Sequence, residues 1–426
     1  MSVAHRAIGI LAGGGSLPRE IADHITARGD RVHIVAIAGE VDDDLATFPV
    51  TTVGWGQVGG IMRAFKDAGC REIVIVGSVR RPDLGALRPD LGFIWNLPAI
   101  LRIITAGGDD SVLTRVVRFF EQKGFTVVAP ASVAPELLAD KGPLGRIAAD
   151  GAQEQDVALG FSIVRALGPF DVGQAVIVAG GRVLAIEGVE GTDAMMARCA
   201  QRQRQRQRQG KGILVKRPKP GQELRVDLPA IGPATISRAA QAGLAGIAVL
   251  AGGALAAERA TLVRRADEAG LFVQGFEDQP TDKQERLHAP HSWEFAKIGR
   301  HAPRRRQRID ASKGAAVLWA LAPLAPAQVL VVAGQHVIAV EAGEGVVSVL
   351  QRAKGLQQWG RWYSARRAGV AVLTQEADLP AAVASAAAAG LAGLALIGER
   401  SHEVQKAAEE ANRLGMFMVV LRGENR

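Results

Sequence analysis

The chain has 426 residues, room for about three domains, and 48% of them are apolar, so a large core can be buried. Only 4% are aromatic, which makes that core aliphatic and leaves few rings for stacking on bases. The net charge of +8 invites phosphates or anionic lipid, but no nucleic-acid-binding module is recognisable, and nucleic acid is set aside as a partner. Two cysteines, Cys70 and Cys199, are too few for a disulfide framework and fit a reducing cytosol. No uninterrupted apolar run reaches the roughly 18 residues of a membrane span.

In chain order, Ala7–Ala12 (AIGILA) reads as a buried strand. It runs directly into Gly13-Gly14-Gly15 with no cleavage motif, so it is not read as a secretory leader. A helix over Pro18–Arg28 follows, then strands at Val32–Ala36 and Thr51–Val53, a helix over Val58–Ala68 and a strand at Glu72–Val76. Helices over Asn96–Thr105 and Ser111–Lys123 precede a strand at Thr126–Val128. Such alternation predicts an α/β, Rossmann-like N-terminal domain over residues 1–131 with a parallel sheet.

Beyond the connector Ser132–Gly151 the chain repeats itself. Gly173–Asp193 and Ala327–Val347 share nine of 21 positions at an offset of 154, including Glu187/Glu341, Glu190/Glu344 and Gly191/Gly345. Helix Asp156–Leu167 matches Asp310–Leu321 at the same offset, and Ala242–Gly252 matches Ala389–Glu399. The pattern predicts an α/β C-terminal catalytic domain over 132–277, a linker over 278–306 and a degenerate second copy over 307–426. Gln201–Gln209 (QRQRQRQRQ) is of low complexity and reads as an exposed loop expansion.

Several segments carry candidate chemistry. Gly13, Gly14, Gly15, Ser16 and Leu17 join the first strand to the first helix, where glycines let backbone approach a ligand and N–H groups are unpaired. A phosphate loop and a tight turn capped by Ser16 suit that spacing equally. Pro18 breaks the dinucleotide fingerprint, and there is no Walker lysine. Arg80 and Arg81 follow the Glu72–Val76 strand at an edge where ligands gather. Asp109 and Asp110 precede a helix and read as caps or metal ligands. Glu190, Gly191, Thr192 and Asp193 end a strand, with Thr192 or Asp193 able to cap the next helix. Copy two keeps both glutamates but has Val346-Val347 in place of Thr192-Asp193.

The sharpest group is Lys216, Lys219, Gln222, Arg225 and Asp227, in a loop stiffened by Pro218, Pro220, Gly221 and Pro229. Copy two passes almost directly from Val372-Leu373 to Leu379-Pro380, without this loop. A part that one copy keeps and the other loses is not required by the fold. Three cations with a carboxylate suit attack by water on a phosphoryl centre, the carboxylate orienting water or holding a metal.

In the order L-A-G-G-G-S-L-P, G-S-V-R-R-P, G-D-D, E-G-T-D and K-x-x-K-P-x-Q-x-x-R-x-D-L-P-x-I-G, residues 5–277 resemble the LpxI family of UDP-2,3-diacylglucosamine pyrophosphatases. The resemblance implies a cytoplasmic enzyme of lipid A biosynthesis that cleaves UDP-2,3-diacylglucosamine to 2,3-diacylglucosamine 1-phosphate (lipid X) and UMP. It implies Mg²⁺ or Mn²⁺ as cofactor, peripheral contact with the inner membrane, and leaves a homodimer open. The family's essential aspartate matches Asp227, with Lys216, Lys219 and Arg225 beside it as catalytic cations. Asp193, Asp109 and Asp110 are further candidates for the metal, and Gly13–Leu17, Arg80, Glu190–Asp193 and Gln222 for the substrate. Glu223 stands where the motif commonly has Asp, and Ala230 where it has Thr. A non-catalytic nucleotide or lipid binder of the same fold is the alternative.

Overall fold

The computed structural model of the chain describes residues 6–41, 45–79, 88–104, 109–205, 211–278, 292–356 and 367–424. It divides into two units. The first comprises residues 1–141 with the segments 222–234 and 251–265; the second comprises 142–221, 235–250 and 266–426.

The first unit contains, in order, β1 (Ala7–Ala12), α1 (Leu17–Ala27), β2 (Arg31–Ile37), β3 (Val50–Val53), α2 (Val58–Asp67), β4 (Glu72–Val76), α3 (Leu91–Trp95), α4 (Leu97–Ile104), α5 (Asp109–Gln122), β5 (Thr126–Val127) and α6 (Pro130–Val133). Its sheet is parallel throughout, in the order β3-β2-β1-β4-β5. Alternation along β1 divides the core into two layers. Ile8, Ile10 and Ala12 pack with Ile21 and Ile25 of α1, while Leu11 packs with Phe65 of α2 and with Val117 and Phe120 of α5. A parallel sheet covered on both faces needs such continuous apolar strands. Strand order reverses between β2 and β4 on either side of β1, and ligands of open parallel sheets bind at such a switch.

The remaining elements are β6 (Gly142–Pro143), α7 (Gly151–Leu167), β7 (Ala175–Ala179), β8 (Arg182–Ile186), α8 (Gly191–Gln205), β9 (Ile213–Lys216), β10 (Ala230–Ile231), α9 (Pro233–Gln241), β11 (Gly246–Leu250), β12 (Leu255–Ala256), α10 (Arg259–Ala269) and β13 (Phe272–Phe276) in copy one. Copy two supplies β14 (Ser292–Lys297), α11 (Arg305–Leu321), β15 (Val329–Ala333), β16 (His336–Val340), α12 (Val346–Leu356), β17 (Val370–Leu373), α13 (Leu379–Ala388), β18 (Gly393–Ile397), α14 (His402–Arg413) and β19 (Phe417–Glu424).

The duplication is explicit in the sheets. Copy one has the order β6-β13-β11-β9-β7-β8 and copy two β14-β19-β18-β17-β15-β16. Both pair two neighbours in parallel and the other three antiparallel. Even the hairpin irregularities correspond, at Ile177/Val178 and Val331/Val332. The same carboxylate braces each hairpin: Asp156 accepts from the Gly180 and Gly181 amides at 2.8 and 2.6 Å, and Asp310 from those of Gly334 and Gln335 at 3.1 and 2.7 Å. Each long helix crosses its sheet at a glycine, because a Cβ on Gly160 would come within 2.7 Å of Val215 and one on Gly314 within 2.5 Å of Val372. The two copies share one core: Phe161, Val164 and Leu167 of α7 lie in the same cluster as Ala311, Leu318 and Leu321 of α11.

Some elements differ from the sequence reading. Part of the segment read as a linker is β14, paired antiparallel with β19. Its S-W-E-F-A-K sequence has Trp293 and Phe295 on alternate positions, a strand signal that the surrounding Pro, His and Arg obscured. The helix read over Asn96–Thr105 begins earlier and is broken at Asn96, whose side chain donates to the Gly92 carbonyl at 2.7 Å. Asp90 caps α3 through the Phe93 amide at 2.7 Å. The Gln-Arg run continues α8 as far as Gln205, since both residue types are good helix formers; Arg206–Gln209 lie outside the described residues.

Candidate active site

The loop after β1 is held against the loop after β4. The Gly13 amide donates to the Val76 carbonyl at 2.9 Å, Gly14 to that of Ser78 at 2.7 Å, and the Ser78 amide back to Gly14 at 2.9 Å. A Cβ on Gly13 would fall against the Ser78 carbonyl, and one on Gly77 would come within 2.7 Å of the Gly13 backbone. Gly15 has φ +92°, a conformation that favours glycine. Ser16 occupies the N-cap position of α1 but makes no capping bond; its hydroxyl instead donates to Glu20 at 2.7 Å. The expected Ser16 cap is therefore absent, and Glu20 uses its other oxygen to accept from the Glu258 amide at 2.8 Å. Arg80 and Arg81 lie outside the described residues, as do the side chains of Asp109 and Asp110, which are the first residues of α5.

The Lys216–Pro229 segment belongs to both units, changing at the Gly221–Gln222 step. On the second-unit side Lys216 is buried at the end of β9, between Ala175 of β7 and Val249 of β11 in register. Arg217 is ion-paired with Asp278, which also binds Arg165. Burial lowers the Arg217 pKa, and Asp278 opposes that shift. Lys219 is ion-paired with Asp171, and Gly168 lies against the Pro220 ring where a Cβ would clash. These contacts fix the base of the loop.

On the first-unit side a second cluster forms. The Gln222 side chain, 7% exposed, donates to the Asp227 carbonyl at 2.7 Å and to Asp227 Oδ2 at 2.5 Å. The Asp227 amide donates to the Glu223 carbonyl at 3.0 Å. Arg225 grips Glu223 with Nε at 2.8 Å and Nη2 at 2.7 Å, and reaches Glu121 of α5 with Nη1 at 2.7 Å. The Glu223 bond raises the Arg225 pKa, and the Arg225 bond lowers that of Glu223. Val226 packs into the core with α2 and α5, whereas Leu228 and Ala230 pack with α1. Asp227 thus sits where the segment passes from one face of the parallel sheet to the other. Arg225 is a brace in this arrangement, and the Glu that departs from the motif's Asp is its main anchor.

The E-x-x-E residues take different partners. Glu187 accepts from the Gln174 amide at 2.7 Å and from the Thr192 hydroxyl at 2.6 Å; its counterpart Glu341 accepts from the Gln328 amide at 2.6 Å and that of Gly345 at 3.2 Å. Glu190 is ion-paired with Arg198 and, at 3.3 Å, with Arg352 of copy two; Glu344 pairs with Arg352 at 2.6 Å. Gly191 (φ +81°) opens α8, so Thr192 and Asp193 lie within its first turn and do not cap it. Asp193 is exposed beside Arg238 at 3.2 Å. The glutamates common to both copies thus brace strands and join the copies. Asp171, Glu121 and Asp278 were missed by sequence reasoning, because each pairs with residues at least 48 positions away.

Among the described residues no group of three His, Cys, Asp or Glu is arranged to hold a metal. A search of family models matches the LpxI N-terminal domain over residues 7–137 and the LpxI C-terminal domain twice, over 140–274 and 295–419. The UDP-2,3-diacylglucosamine pyrophosphatase LpxI of Caulobacter vibrioides is 40% identical over 277 residues, 64% of this chain and 99% of that protein.

The chain belongs to the LpxI family.

Its distinctive part is therefore the second C-terminal domain. That copy retains every strand of the six-stranded sheet of copy one in order, yet β17 ends at Leu373 and α13 begins at Leu379. The residues between Lys216 and Asp227 have no room in that connection. One LpxI-type loop remains per chain, and Asp227 is its only aspartate.

Proposed function

We propose that this LpxI-family chain hydrolyses the pyrophosphate of UDP-2,3-diacylglucosamine, giving 2,3-diacylglucosamine 1-phosphate and UMP, a cytoplasmic step of lipid A biosynthesis. The observation that carries the reading is the R-x-D-L-P-x-I-G segment, present once and held by Gln222 and by the Glu223–Arg225–Glu121 clamp. Asp227 orients the attacking water or a hydrated metal ion. Lys216 and Lys219 neutralise phosphate, and the Gly13–Leu17 turn binds part of the head group through the amides of Gly15, Ser16 and Leu17, those of Gly13 and Gly14 being held by the Val76 and Ser78 carbonyls.

A Mg²⁺ or Mn²⁺ ion fits as a lightly ligated cation, since Mg²⁺ commonly takes one or two carboxylates and completes its shell with water and substrate phosphate oxygens. Asp227 would hold it, and when bound it would offset charge on the phosphates. The test is UMP release from the acylated sugar nucleotide with and without EDTA. Release that stops with EDTA and returns with Mg²⁺ supports both parts. Tight substrate binding without UMP would establish the non-catalytic binder instead.

A diacylated substrate resides in a membrane, and no helix of the described residues is long and apolar enough to cross one. The exposed apolar residues Leu91 (76%), Ile94 and Trp95 (84%) of α3, with Leu97 and Leu101 of α4, suit shallow insertion into an anionic bilayer by a chain of net charge +8. Replacing Ile94 and Trp95 with serine should lower co-sedimentation with vesicles of phosphatidylglycerol and phosphatidylethanolamine by about fivefold or more, as loss of two buried apolar side chains predicts. Unchanged sedimentation would remove this face from membrane contact.

A further inference from the structure

Copy two carries one cation that its repeat does not require. α7 and α11 correspond at an offset of 154, so Asp310 matches Asp156 and Lys313 matches Leu159. Leu159 packs against the shared core. Lys313 instead donates to the Gln335 carbonyl at 2.6 Å. Its charge is felt by three others: Asp171 and Asp310 attract it and Lys219 repels it. Asp171 and Lys219 are themselves an ion pair of low exposure, 22% and 9%, both contributed by copy one. Copy two has Ala325 in place of Asp171 and lacks the loop that bears Lys219. This cluster accordingly exists once per chain, at the base of the loop with the candidate phosphate cations. One of its members comes from the copy that cannot itself carry the chemistry.

The ion pair bears directly on phosphate binding. An ammonium engaged by Asp171 must leave that carboxylate to take a phosphate oxygen. Withdrawing the close partner of a poorly exposed carboxylate is costly unless another cation stands by. Lys313 stands on α11, which lies in one hydrophobic cluster with α7, the helix that ends just ahead of Asp171, and the counterparts of the pair, Leu159 and Ala325, both pack against that cluster.

We propose that Lys313 is the standby counter-ion of Asp171: when Lys219 turns to a phosphate of the sugar nucleotide, Lys313 turns from the Gln335 carbonyl to Asp171. Copy two then serves the site by supplying a positioning residue. Burial pulls the Lys313 ammonium below its ordinary pKa, while Asp171 and Asp310 pull it the other way, as expected of a cation facing those carboxylates. The inference rests on the proposed function only in requiring that Lys219 take a phosphate.

The test uses the full chain and two readouts, UMP release from the acylated sugar nucleotide and calorimetric binding of UDP. Lys313→Leu, which installs the copy-one residue, should raise KM and weaken UDP binding about five- to tenfold with kcat within about twofold, the scale of one partly buried charge pair. Lys313→Arg should restore both. In an Asp171→Asn background Lys313→Leu should change neither, since the carboxylate to be compensated is gone. Should Lys313→Leu lower the melting temperature severely, Lys313→Gln, which keeps a donor for Gln335, carries the same comparison. Unchanged KM and UDP affinity, or an effect undiminished by Asp171→Asn, would overturn the proposal. If the wild type releases no UMP but UDP binding follows this pattern, the hydrolase reading fails and the Lys313 inference stands. A wild type that does not bind UDP removes both Lys219 as a phosphate ligand and Lys313 as its counterpart.

Discussion

Replacing Asp227 with alanine is expected to reduce UMP release by about 10³-fold or more, in the range seen when a preorganised polar group or metal ligand is removed from a hydrolytic site. The melting temperature should move by no more than about 2 °C, because truncating a half-buried polar side chain costs little where other contacts hold its loop. The local geometry separates these two outcomes. Asp227 Oδ2 accepts one bond from Gln222, at 2.5 Å, but Gln222 also donates to the Asp227 backbone carbonyl at 2.7 Å. The Asp227 amide is held by the Glu223 carbonyl at 3.0 Å. Both backbone contacts survive truncation, and the Arg225 clamp on Glu223 and Glu121 does not involve the Asp227 side chain. Val226 and Leu228 continue to pack on their two faces of the sheet. The variant should therefore present the same loop with its carboxylate missing. Turnover above about a tenth of wild type would take Asp227 out of the reaction. A large drop in melting temperature would make it a structural residue.

The strand–helix order of the N-terminal unit was legible because its central strands β1 and β4 are short, largely apolar and followed by glycine, so periodicity and punctuation agree. The duplication was legible from identity at a constant offset, and the sheets reproduce it down to the hairpin irregularity. What the sequence could not convey was partner choice. Glu187 and Glu190 look alike in E-x-x-E, but one accepts from a backbone amide and Thr192 within copy one, and the other is ion-paired with Arg352 of copy two. Asp171 and Lys219 give no local sign of pairing, since 48 residues separate them. Even the loop's stiffness was only half visible. The prolines were evident, but the bracing of Pro220 by Gly168 and of Arg217 by Asp278 depends on the tertiary fold. Strand β14 was hidden for a different reason: its alternation is short, and its pairing partner β19 lies at the other end of the copy.

The second large effect is expected at Arg352. Glu190, Arg198, Arg352 and Glu344 form a charge-balanced group at the junction of the two copies, with side-chain exposures of 6%, 16%, 13% and 6%. The repeat relates them: Arg198 donates to the Ile186 carbonyl at 3.0 Å and Arg352 to that of Val340 at 2.8 Å. Burial, with Arg198 as a neighbouring cation, pushes the Arg352 pKa down, and Glu344 and Glu190 hold it up. Substituting Arg352 with methionine leaves two poorly exposed carboxylates facing a single guanidinium, and breaking such a pair from one side costs about 3–5 kcal/mol. The loss should appear in denaturant unfolding of the full chain as a lower midpoint with an unchanged slope. Neutralising Glu344 as glutamine in the same chain should recover part of it, because the uncompensated charge, rather than the missing contact, is the larger cost. The carboxylates differ in one useful respect. Glu344 also accepts from the Ala342 amide at 2.7 Å, a bond that a glutamine oxygen can keep. Since α7 and α11 lie in one hydrophobic cluster, the two copies should unfold together, and Arg352→Met should shift one shared calorimetric transition. Separate transitions, with only one moved, would mean that the copies are independent domains joined by a surface ion pair.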